Sequence, residues 1–187
     1  MPSINLEVSS TPLKLNWTRL KDADLVYGNL RFMLSNDYLL PSLFTYHNPG
    51  RIYNADMLCS LPAVVMEMLV YSQPGRVELL PALHERLTRG DVQGILCRGG
   101  IRVDTLAWNM NLKRVNVTLT SHKDQTIQLI LRRGFHSYKV TGATPSEATE
   151  TYLTLALPGN KPVSVLFQLT APEVGTVPDD TAAERIE

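Results

Sequence analysis

The feature that most constrains this chain is a change of period near Arg76. Upstream, apolar residues return every three or four positions. Leu13, Trp17, Leu20, Tyr27, Leu30 and Leu34 follow that spacing with one wider gap, which predicts helix. Downstream, Val115, Val117 and Leu119 alternate with Asn116, Thr118 and Thr120, and Ile127, Leu129 and Leu131 do the same beside Gln128 and Arg132. A period of two places successive side chains on opposite faces of a sheet. The chain therefore reads as α+β, with helices first and an antiparallel β-sandwich after them.

The helical part divides into segments at about 11–20 and 23–35, separated by the polar Lys21-Asp22-Ala23-Asp24. A long connection over 36–59 follows, with Pro41, Pro49, Gly50 and the aromatics Tyr38, Phe44, Tyr46 and Tyr53. Loops of that length within compact domains are uncommon and often functional; the plainer alternative is a packed connector. Ser60 is the expected N-cap of the next helix, with Pro62 in its first turn and Tyr71 at its end. Its body, Ala63 to Val70, is apolar nearly all round and needs partners on several sides.

Expected strands are 77–80, 92–97, 100–108, 112–121, 125–132, 135–141, 150–157 and 162–170. Polar turns at Asn109-Met110-Asn111, His122-Lys123-Asp124 and Pro158-Gly159-Asn160 punctuate them, and Arg98-Gly99-Gly100 reads as a glycine turn between two strands. The domains follow as 1–75, helices and loop; 76–172, sandwich; and 173–187, a polar acidic tail expected to be disordered.

Lys plus Arg equals Asp plus Glu at 18 each, so the formal net charge is zero. That balance gives no electrostatic case for nucleic acid or an anionic membrane. No apolar run approaches a transmembrane span. Met1 to Ser10 lack the basic start and apolar centre of a signal peptide, which leaves the localisation open. Cys59 and Cys97 are expected to be buried free thiols, and with scattered histidines they make no zinc pattern, so neither metal nor cofactor is expected. Asn16 and Asn116 begin N-x-S/T sequons, relevant only to a secreted chain. No P-loop, dinucleotide fingerprint, HExxH or GxSxG is present. The residues with most chemical potential sit on the long loop: His47, Arg51, Asn54 and Asp56. A His there can contact a hydroxyl, and an Asp can orient or activate water.

Several segments together resemble glycoside hydrolase family 95, the α-L-fucosidases. Leu15 to Asp22 is similar to the family's "WARLGDG", Leu39 to Phe44 to "LLPNLF", and Glu67-Met68-Leu69 to "AEMLLQS". The strongest run is Leu79-Leu80-Pro81-Ala82-Leu83, then Gly90, Val92 and Gly94, then Arg98-Gly99-Gly100, which follows "LLPALP…G.V.GL.ARGG" in order and spacing. Val103-Asp104 and Trp108 follow "VDIEW" with one extra residue, which suggests a bulge.

The resemblance implies that the first domain is the end of an (α/α)₆ catalytic barrel and the second its C-terminal β domain. The implied reaction is inverting hydrolysis of α-linked fucose on a fucosylated glycan. There a Glu is the general acid, an Asn positions water, and an Asp activates that Asn. Counting back from Glu67 puts Asp56 on the family's Asp. His47 falls on its sugar-contacting His if three residues are inserted. Met57-Leu58-Cys59-Ser60-Leu61 replaces the family's "GNFGG", which predicts a different backbone path. No segment matches the general acid or the Asn pair. The chain is then expected to be inactive alone, with the rest of a barrel, or a second copy, as its protein partner. The alternative is a non-catalytic carbohydrate-binding or structural domain derived from such an enzyme.

Overall fold

The computed structural model describes residues 21–170, so the helix expected at 11–20, the Asn16 sequon and the 173–187 tail lie outside the described residues. Helix α1 (Ala23–Ser35) begins where the polar break predicts, because the Asp22 side chain caps it by accepting from Leu25 N at 2.9 Å. A small hairpin follows, β1 (Tyr46–Asn48) against β2 (Ile52–Tyr53), and then helix α2 (Ala55–Leu69). The connection is therefore structured, and α2 starts ahead of the expected Ser60. Asn54 is its N-cap, with its side chain accepting from Met57 N at 3.0 Å. Pro62 consequently lies inside the helix and not in its first turn, so Leu58 has no N–H to receive at the usual fourth position.

Ten strands follow α2: β3 (Val70–Gln73), β4 (Arg76–Leu79), β5 (Arg89–Cys97), β6 (Ile101–Asn109), β7 (Arg114–Ser121), β8 (Gln125–Ile130), β9 (Phe135–Thr141), β10 (Pro145–Ala148), β11 (Tyr152–Leu157) and β12 (Pro162–Leu169). They form two five-stranded sheets, ordered β10-β11-β8-β4-β3 and β5-β6-β7-β12-β9. Two strands were not expected. β3 starts at Val70 and Tyr71, the expected end of the preceding helix, and runs on to Gln73, and β10 is a short edge strand with three of its four residues exposed. The pairing is antiparallel except between β4 and β8, which run parallel with Val77 opposite Leu129. The departure arises because the chain leaves β4, builds β5 to β7 in the other sheet, and returns to the first sheet as β8.

One core joins the sheets. Val77, Leu79, Ile127, Leu129, Leu153 and Leu155 from the first sheet belong to the same buried cluster as Val115, Val117, Leu119, Val163, Val165 and Phe167 from the second. These are the apolar members of the alternating runs. Their polar neighbours face outward, including the exposed Asn116.

The extra residue in β6 is a bulge. Val103 pairs with Leu119, but Thr105 pairs with Thr118, so Asp104 is the surplus residue. Burial changes phase across it, from Ile101 and Val103 to Leu106 and Trp108. The neighbouring β5 stays in register with β6, with Gln93 opposite Thr105 and Ile95 opposite Val103. It therefore carries the same extra residue, at Gly94, whose φ of 75° is costly for any side chain. Asp104 is tied down on both oxygens, by Arg102 Nε at 2.5 Å and Thr120 Oγ1 at 2.6 Å.

Gly90 has a different role. It lies opposite Trp108, and a Cβ there would meet the indole at 2.4 Å. The ring has little freedom to yield, since its Nε1 donates to Leu87 O at 2.9 Å and it is only 8% exposed. Gly90→Ala is expected to lose about 1–3 kcal/mol of stability through this overpacking. Gly28→Ala, inside α1 with nothing within 4 Å of the added carbon, is expected to gain roughly 0.5–1 kcal/mol. Urea unfolding of the two variants beside the parent checks both the sizes and the opposite signs.

Candidate functional site

The hairpin and the start of α2 carry the two residues singled out in the sequence. Thr45 and Asn54 fasten the base of the hairpin: Asn54 N donates to Thr45 O at 2.9 Å, and Thr45 Oγ1 donates to Asn54 O at 2.5 Å. Thr45 is buried at 1% exposure and needs these partners. Above this clasp Tyr46 stacks on Tyr53 with ring centroids 5.1 Å apart, and Phe44 meets Tyr53 edge-on at 5.6 Å. The Tyr53 hydroxyl, with a smaller effect of burial, holds the Tyr46 phenol above its ordinary pKa.

His47 is on β1, past the clasp towards the turn, and is exposed. Asp56 is in the first turn of α2, past the clasp in the other direction, and is also exposed. The two side chains share no hydrogen bond or ion pair with each other. The clasp thus fixes the backbone that bears them and leaves both side chains open to solvent. Helix geometry accounts for the position of Asp56, since a carboxylate in a first turn interacts favourably with the helix dipole. The segment from Met57 to Leu61, which replaces a glycine-rich sequence, continues that helix without interruption.

α2 buries Met57, Val64, Met68 and Leu69. Leu58, Pro62 and Met66, at four-residue steps, face away and are exposed, with Met66 at 44%. Val65 is half-buried. The near-uniform apolarity read in the sequence therefore leaves a stripe without cover among the described residues. Leu43, Phe44, Ile52 and Tyr53 of the hairpin region are exposed too.

Glu78 is the buried charged residue among the described residues, at 2% exposure, and it was not expected as one. Glu78 accepts from Lys21 Nζ at 2.6 Å and from Arg132 Nε at 2.5 Å. The signal available was a lone carboxylate between the core residues Val77 and Leu79. Among the described residues no group of three or more His, Cys, Asp or Glu converges as a metal site, and no helix is long and apolar enough to cross a membrane.

The strands from β3 to β11 carry the residues of the earlier resemblance in defined roles. Leu80 N donates to Leu69 O at 2.7 Å and Ala82 N to Met68 O at 3.2 Å, so the Leu79-to-Leu83 segment receives the end of α2. Gly90 admits Trp108, Gly94 accompanies the bulge, and Gly99 and Gly100 both turn at positive φ. The family model described as glycoside hydrolase family 95, C-terminal domain, matches residues 71–157. Residues 71–157 belong to glycoside hydrolase family 95, as its C-terminal domain. No curated protein matches the chain. Within this family 95 domain the matched span opens in β3 and closes with β11, so it takes in most of both sheets.

The cysteines are both free, but Cys59 is exposed on α2 and so departs from the expected burial, because its helix face is the uncovered one. Cys97, at the end of β5, is half-buried. Desolvation raises its pKa, against smaller lowering effects from Ser72 and the Val103 backbone. Thiolate is the reactive form, so iodoacetamide at mildly alkaline pH is expected to label Cys59 well before Cys97. Time-resolved peptide mass spectrometry of the folded chain checks the order, and denaturant should abolish it.

Proposed function

We propose that the chain is the C-terminal portion of an α-L-fucosidase-like glycoside hydrolase and does not hydrolyse fucosides by itself. The observation that carries this reading is the family 95 C-terminal domain match over 71–157. It is supported by the ordered resemblance of 15–69 to the end of the family's barrel, and by the uncovered apolar stripe Leu58, Pro62 and Met66, which suits contact with further barrel helices. In this reading the substrate is a fucosylated glycan, bound by the assembled enzyme. Asp56 takes the water-activating position and His47 a sugar contact. Inverting hydrolysis needs an acid on one side of the sugar and activated water on the other. Asp56 alone does not serve both.

A second reading, a non-catalytic carbohydrate-binding or structural domain derived from such an enzyme, is favoured by one observation. Asp56 lies in an ordinary first helical turn that runs on through Leu61, without a glycine loop to aim the carboxylate. The two readings part in a single assay of the chain against an aryl α-L-fucoside and a 2-linked fucosyl oligosaccharide, with Asp56→Asn alongside. No turnover by either protein is expected, because the lost acid alone is worth roughly 10²–10⁴-fold. Activity on adding the upstream barrel, lost again in Asp56→Asn, is the result expected of the first reading. Restored activity that is indifferent to Asp56→Asn would remove Asp56 from the mechanism. Turnover by the isolated chain would overturn its inactivity.

A further inference from the structure

The outer face of the β3–β4 hairpin holds a cleft of about 190 Å³ lined by Lys21, Tyr71, Gln73, Arg76, Glu78 and Arg132. Register explains the assembly. Tyr71 pairs with Glu78 and Gln73 with Arg76, so four of the six stand together on one face of two strands. Lys21 enters from just before α1 and Arg132 from just after β8.

A donor and acceptor inventory shows what this cleft suits. Glu78 is its one carboxylate, with a side chain only 3% exposed, and each of its oxygens already accepts from a cation. Lys21 spends one of three N–H groups on Glu78 and lies over the Tyr71 ring, 5.4 Å from its centroid. Arg132 spends Nε and is 57% exposed, which leaves its two terminal nitrogens without a protein acceptor among the described residues. Arg76 is exposed and has no side-chain partner among them. The Tyr71 hydroxyl accepts from Gln73 Nε2 at 3.1 Å, so its own proton is free to donate. Gln73 Oε1 and the remaining lone pairs of the buried Glu78 are the cleft's acceptors, while free donors come from three cations and a phenol. Three positive charges against one negative leave the cleft cationic on a chain that is neutral as a whole.

We propose that this cleft binds an oxyanion group, of the carboxylate or phosphate kind, on a small ligand such as an acidic sugar. Two guanidinium groups supply planar forks that match such a group with paired hydrogen bonds. A neutral sugar is a poorer fit, because it brings no negative charge to offset the excess of cations. Glu78 is the positioning residue: it holds Lys21 and Arg132 in place and does not touch the ligand. The site is separate from the loop that bears Asp56, and its existence does not depend on fucosidase activity.

The test is calorimetric or NMR titration of the full chain at low ionic strength with sodium glucuronate, glucose and inorganic phosphate. Saturable binding of glucuronate is expected, with glucose much weaker and with affinity falling as sodium chloride is added. Arg76→Gln is expected to weaken glucuronate roughly tenfold. It removes an exposed, unpartnered side chain, and an unchanged melting temperature verifies the fold. Arg114→Gln, on the other sheet, should bind as the parent does. Binding of phosphate without glucuronate would keep the oxyanion site and assign it to a free ion. Equal binding of glucose and glucuronate, affinity indifferent to Arg76→Gln, or no saturation by either anion would overturn the proposal.

Discussion

The end of helix α2 is the joint on which the arrangement depends. A helix leaves its last carbonyls without partners, and a buried carbonyl without one is expensive. Here the chain passes from Leu69 directly into β3 at Val70, with no loop between. Val70 N bonds to Met66 O, Ala82 N to Met68 O and Leu80 N to Leu69 O. The second and third donors come from the segment that follows β4, so one short stretch closes the helix and anchors the first sheet. Leu80 adopts a φ of 54° to do so, at a cost of about 1–2 kcal/mol for a non-glycine residue. Its burial and its bond to Leu69 offset that cost. Arg133 Nη2 then donates to Leu83 O, and burial lowers the guanidinium's pKa, opposed by nearby Glu85.

A second constraint follows from the bulge. The surplus residue at Asp104, matched by Gly94 on β5, flips which side chains face inward halfway along both strands. Without it, the register that buries Ile101 and Val103 would turn Leu106 and Trp108 to solvent. Trp108 in turn needs the open space at Gly90. These positions form a chain of dependence, from Asp104 to Trp108 to Gly90.

Much of this was legible in the sequence. The alternation around Val117 and Leu129 placed both sheets' strands because inward and outward residues there differ sharply in polarity. The surplus residue before Trp108 was visible as a spacing difference. Other elements were not. Ser60 and Pro62 imitate a helix start, but the stronger cap at Asn54 sits behind a hairpin whose clasp pairs Thr45 and Asn54 across the loop, a contact no local pattern reveals. β3 opens on Val70 and Tyr71, which continue the apolar run of α2 and so read as helix, although both residue types suit the strand that β4 pairs with. The parallel β4–β8 contact depends on the path of the whole chain. The Glu78 cluster draws on three segments far apart in sequence. Asp56 and His47 were legible as candidates by resemblance, and the structure places them on either side of one clasp.

The Leu79-to-Leu83 segment closes α2 and makes the helix end part of the sandwich's cooperative unit. Native-state hydrogen exchange of the Leu80 and Ala82 amides reads this joint out, since those two N–H groups bond to the end of the helix. Both are expected to exchange with the same opening free energy as Val77 and Leu129 in the core. Exchange of Leu80 and Ala82 on the fast timescale of a fraying helix end, while Val77 and Leu129 stay protected, would show that the helix end is not part of that unit.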